Sequence, residues 1–123
     1  MWDAAHRLKK QTILHSCGCV KGLIPDLLDA GLDCLQPLEV KAGMDPIAIK
    51  KEHGNRLAVF GGIDTRCLEH PDPAVTEREI RAKFSACMPG GGYLYHTDHS
   101  VPKDVSFERY CYTIELARKY GKY

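Results

Sequence analysis

"QTILHSCGCVKGLIPDLLDAGLDCLQPLEV", residues 11–40, holds a short apolar run, a stretch of helical period and a second short apolar run. In residues 11–16, Thr12, Ile13 and Leu14 are β-favouring or apolar, and Gly18 closes the run, which predicts a short strand. Val20, Leu23, Ile24, Leu27 and Leu28 then recur at i, i+3, i+4, i+7 and i+8, the spacing of an amphipathic helix that Gly31 stops. Pro25 suits only its first turn. Residues 33–40, "DCLQPLEV", read as strand again. A strand, a helix and a strand in so few residues predict a parallel pair joined by a crossover.

The same alternation continues outward. Residues 1–10 look like the tail of a helix with Trp2, Ala5 and Leu8 on one side, an abrupt start expected of a chain cut from a longer one. Downstream, Asp45 and Pro46 form an N-cap and first-turn pair for a helix ending at Gly54. "RLAVFGGID" (56–64) is a near-continuous apolar strand of the kind covered on both faces of a sheet. Thr76 and Glu79 match a capping box opening a helix that runs to about Met88. "GGYLYHTDHS" (91–100) supplies the last strand, and residues 106–120 the last helix, with Phe107, Tyr110, Cys111, Ile114, Leu116 and Ala117 as its apolar stripe.

These four βα units with parallel strands fit either an open sheet or half of a (β/α)8 barrel, which needs eight units and about 250 residues. Glycines 90, 91 and 92 precede their strand, so no phosphate-binding glycine loop follows one. The expected fold is therefore α/β, four parallel βα units forming half of a TIM barrel, with residues 1–123 as a single partial domain. At 44% hydrophobic and 27% charged, with 17 basic against 16 acidic residues, the chain has the composition of a globular domain and no basic stripe for nucleic acid. Its apolar runs are too short for a membrane span or a signal peptide, which predicts a cytoplasmic protein. Six cysteines without an extracellular context read as reduced thiols.

In parallel α/β folds reacting groups gather at the carboxyl ends of strands. Here the first strand ends in His15 and Cys17, the second in Gln36 and Glu39, the third in Asp64, and the fourth in His96, Asp98 and His99. His15 and Cys17 stand two apart, so in extended backbone both project to one side. An imidazole and a thiolate are what zinc binds, and a catalytic zinc takes three protein ligands and keeps a position open. His99 is the first candidate for the third ligand and Asp98 the second. A His-x-Cys pair alone recurs by chance, and its place at a strand end is what gives it weight. Asp64 reads either as a cap or as a functional carboxylate, Glu39 as a solvated loop residue or a functional one. His96 and Tyr95 read as packing or outward-facing residues.

With these units placed, the chain resembles the C-terminal half of the uroporphyrinogen decarboxylase superfamily, which includes zinc-dependent methylcobalamin:thiol methyltransferases. The resemblance is carried by "HSCG" (15–18), "LIPDLLDAGLDCLQPLEVKAGMDP" (23–46), "RLAVFGGID" (56–64) and "GGYLYHTDHSVPKDVSFE" (91–108). It implies a TIM barrel with its active site at the strands' carboxyl ends. The methyltransferase branch implies zinc on His15, Cys17 and a third residue, activating a thiol that takes a methyl group from a methyl-corrinoid held on a partner protein. His99 stands where that branch has a cysteine, when the match is anchored on Glu108; anchoring on Pro102 chooses Asp98. Under this reading Glu39 and Asp64 orient ligands or the small-molecule substrate. The decarboxylase branch, part of porphyrin biosynthesis, uses no cofactor and implies that His99 holds substrate carboxylates. A third, non-enzymatic reading is an inactive barrel fragment, or two copies self-associating to close one barrel.

Overall fold

The computed structural model describes residues 2–123. Among these, four strands form one sheet: β1 (Ile13–His15), β2 (Cys34–Gln36), β3 (Ala58–Phe60) and β4 (Tyr93–Leu94) lie in the order β1-β2-β3-β4, every neighbouring pair parallel. The helices are α1 (Asp3–Arg7), α2 (Ile24–Asp29), α3 (Pro46–His53), α4 (Thr65–Glu69), α5 (Pro73–Cys87) and α6 (Phe107–Tyr120). Of the helix expected over residues 1–10, α1 occupies the middle, and residue 1 lies outside the described residues.

The strands are shorter than the sequence suggests. Pro37 has no N–H to give a ladder, and β2 stops before it. Beyond β3 the chain keeps a bridge with the last strand region, Ile63 to Thr97, and Gly61 N–H donates to the Leu94 carbonyl at 3.0 Å. Gly61 and Gly62 fill the gap at positive φ, +120° and +79°, and a Cβ on Gly61 would stand 2.2 Å from the Pro37 carbonyl oxygen. Only a residue without a side chain lets the two segments meet there. Gly62 N–H donates to that same oxygen at 2.9 Å.

Register sorts the strand residues into two sets. Leu14, Leu35, Val59 and Tyr93 align across the sheet, and Leu35 and Val59 are fully buried within a core completed by Ile24, Ile49, Ile80, Phe84 and Leu116 from the helices. Of the alternate residues, Ile13, Ala58, Phe60 and Leu94 are exposed or half-buried, while Cys34, between Ile13 and Ala58, is buried. The both-faces-covered reading of residues 56–64 is thus corrected: β3 is buried on the helix side and half-open on the other.

Helix starts follow local chemistry, with two corrections. Asp45 caps α3 by accepting from Ile47 N–H, with Pro46 in the first turn, as expected. The helix read from Thr76 starts earlier, at Pro73, capped by Asp72, the same Asp-Pro pair as at 45–46. Thr76 instead donates its hydroxyl to the Cys67 carbonyl, and Glu79 accepts from Asp64 N–H, so tertiary partners replace the expected box. Along α6 the buried side is Thr113 and Leu116, because α5 approaches from there; Phe107 is 78% exposed and Tyr110 40%. No helix among the described residues is long and apolar enough to cross a membrane.

Candidate functional site

A cavity of about 360 Å³ opens where the chain leaves β1, β2 and β4, lined by His15, Cys17, Gln36, Pro37, His96, His99 and Ser100. His15 sits beside Gln36 in the parallel register, which brings their side chains together. His15 Nδ1 donates to Gln36 Oε1 at 2.7 Å, so the lone pair of the neutral ring belongs to Nε2. That nitrogen stands 3.5 Å from Cys17 Sγ. The turn continues through Gly18, whose positive φ of +73° redirects the chain.

Glu39, expected at the end of the second strand, lies behind this turn. Its Oε2 accepts from Gly18 N–H at 2.7 Å, and Lys41 pairs with Oε1 at 3.2 Å. The Gly18 N–H, then Lys41, hold the Glu39 carboxyl below the usual glutamate range, and the His99 ring contributes a smaller pull in the same direction. Asp64 lies outside the cavity lining. It caps α4 through Arg66 N–H and forms a forked pair with the Arg66 guanidinium, at 2.9 Å to Nε and 2.6 Å to Nη2, which holds its carboxyl low. Asp98, the alternative third ligand, is fully buried, and its two oxygens accept from Val40 and Thr65 N–H, both at 3.0 Å.

The structure therefore brings His15, Cys17 and His99 to one cavity, keeps Glu39 one hydrogen bond behind it and puts Asp64 and Asp98 into the supporting framework. His96 and Gln36 were missed as site residues. Gln36 carried a signal, since in a parallel pair the residue beside His15 must share its side of the sheet. His96 carried only its place at the end of the fourth strand; its entry into the cavity depends on the chain leaving β4 after Leu94, with the ring edge-on to Phe60 at 5.5 Å between centroids.

As a test of fit for zinc, the pair supplies a thiol and an imidazole whose other nitrogen is already hydrogen-bonded, the arrangement that orients a metal-binding histidine. Among the described residues, however, no three His, Cys, Asp or Glu side chains stand together as a ready metal group. Two donors fit and the third is not assembled.

The model of one known family, "Uroporphyrinogen decarboxylase (URO-D)", matches residues 1–120. The chain belongs to the uroporphyrinogen decarboxylase family. No curated protein sequence matches it. In parallel α/β barrels reacting groups gather at the carboxyl ends of the strands, and the cavity of this family member is lined from the ends of three of its strands.

Proposed function

We propose that this member of the decarboxylase family works in zinc-dependent transfer of a methyl group from a methyl-corrinoid, carried on a partner protein, to a small-molecule thiol. Its 123 residues would form the C-terminal half of a barrel, in the cytoplasm, completed by a further half or by a second copy. One observation carries the reading: His15 Nε2 and Cys17 Sγ lie 3.5 Å apart in a cavity that His99 also lines. His15 and Cys17 would hold the ion, with His99 as the third ligand. Zinc bound there would keep a substrate thiol deprotonated at neutral pH.

The chain's own part is to bind and orient. Gln36 fixes the His15 ring with Nε2 toward Cys17, and Glu39 holds the backbone of the turn one residue beyond Cys17. Metal analysis of the purified protein tests the reading: stoichiometric zinc is expected, lost together with methyl transfer from methylcobalamin in Cys17→Ser. Zinc-free protein, or a Cys17→Ser variant unchanged in both respects, would overturn it.

A second reading rests on the three imidazoles of His15, His96 and His99 in one cavity. These rings would bind substrate carboxylates in a cofactor-free decarboxylation. Chelator-resistant release of CO2 from uroporphyrinogen, abolished by His99→Ala, separates it from the first.

A further inference from the structure

All four strand-end segments are tied to one another through two carboxylates. Glu39, after β2, accepts from Gly18 N–H after β1 at 2.7 Å. Asp98, after β4, accepts from Val40 N–H after β2 on one oxygen and from Thr65 N–H after β3 on the other, each at 3.0 Å. Asp98 is the residue before His99, is fully buried, and has its own N–H anchored on the Ile63 carbonyl at 2.8 Å. Val40 directly follows Glu39, and Gly18 directly follows Cys17. A continuous path of bonds therefore runs from His99 through Asp98, Val40, Glu39 and Gly18 to Cys17.

The residue type at position 98 is decided by this geometry. Two N–H groups from different segments point at one side-chain end, and only a group with acceptors on both atoms satisfies them. An asparagine would turn its NH2 against one donor. A glutamate would carry one more methylene into a fully buried position, and a serine has one oxygen where two donors call for two.

We propose that Asp98 is a positioning residue, whose carboxylate fixes His99 relative to the turn carrying Cys17 by holding Val40 and Thr65 together. Its role at a metal site rests on the zinc reading above, but the bond path does not. A buried bond important only locally would, when broken, loosen its two partners; a positioning bond loosens the far end of the path as well.

The experiment uses the full chain and the variant Asp98→Asn, with two readouts. Amide hydrogen exchange is expected to quicken at whichever of Val40 and Thr65 comes to face the new NH2 group, and also at Gly18, by about tenfold or more, as expected for losing a charge-assisted bond. Cobalt(II) titration, followed by thiolate-to-cobalt absorption, is expected to show affinity lower by about 10- to 100-fold, the usual effect of disturbing groups that orient ligands. Unchanged exchange at Gly18 overturns the proposal whatever cobalt does. Absence of cobalt binding by the unaltered protein overturns the zinc reading alone, and Gly18 exchange still decides the role of Asp98. Should Asp98→Asn fail to fold, Val40→Pro removes the N–H that Asp98 grips, at the first position of the 3-10 turn Val40–Ala42 and after an extended Glu39: Gly18 is expected to exchange faster, and unchanged exchange at Gly18 overturns the proposal.

Discussion

The two sides of the sheet use the same short strands for opposite ends. On the helix side, Leu14, Leu35, Val59 and Tyr93 form an aligned apolar row sealed by α2, α3, α5 and α6. On the other side the same strands present Ile13 at 57% exposure, Leu94 at 42%, and the His15–Gln36 pair at the cavity. A parallel strand covered on both faces would leave no room for polar groups; a strand covered on one face gives each alternate residue to stability or to chemistry. The difference teaches that this sheet's stability and its chemistry are separable residue by residue.

Substitution across the two faces gives the largest test. Leu35→Ala removes a fully buried side chain from the core and is expected to cost about 2–5 kcal/mol of unfolding free energy, read from urea midpoints. Ile13→Ala, one strand over and on the open face, is expected to stay within about 0.5 kcal/mol. Equal costs would mean that something covers the open face in solution.

The junction where β3 leaves the sheet sharpens the same comparison. Gly61→Ala would drive a Cβ into the Pro37 carbonyl, whereas Gly18→Ala meets empty space and only a φ of +73°. Both place alanine at a positive φ that strains it: Gly18→Ala is expected to cost about 1–3 kcal/mol while disturbing the turn after Cys17, and Gly61→Ala to cost more than about 1 kcal/mol beyond that, because the clash with Pro37 adds to the strain. Thermal unfolding of both variants checks the order.

A smaller effect concerns pH. The Arg66 guanidinium holds the Asp64 carboxyl below its ordinary value, so the pair stabilises the fold above the usual carboxylate range and loses that contribution as pH falls through the lowered value. Asparagine caps a helix as well as aspartate does, so Asp64→Asn removes the ion pair and keeps the cap. Its deficit is expected to be about 0.2–1 kcal/mol at pH 7, because Arg66 is largely solvated, and to be smaller at pH 3 than at pH 7. Urea unfolding at both pH values measures it. A deficit constant with pH would place the role of Asp64 elsewhere.

Much of this was legible in the chain because it is local. The i, i+3, i+4 spacing of Val20 to Leu28 and the Asp45–Pro46 pair act within one helical turn, and the structure has helices at both. The same chemistry at Asp72–Pro73 was masked by a capping-box pattern three residues on, whose Thr76 and Glu79 turned out to serve Cys67 and Asp64. His15 and Cys17 were visible as a pair because alternation in a strand is also local.

The sequence by itself determined the order of strands and helices, the parallel pairing and the His-x-Cys donor pair, since each follows from periods and caps spanning a few residues. Tertiary structure alone decided that Phe107 lies at the surface, that His96 lines the cavity and that Asp98 grips Val40 and Thr65. Those outcomes join residues 33 to 58 positions apart or depend on which neighbour covers a face, and no short-range pattern encodes a partner that arrives from so far along the chain.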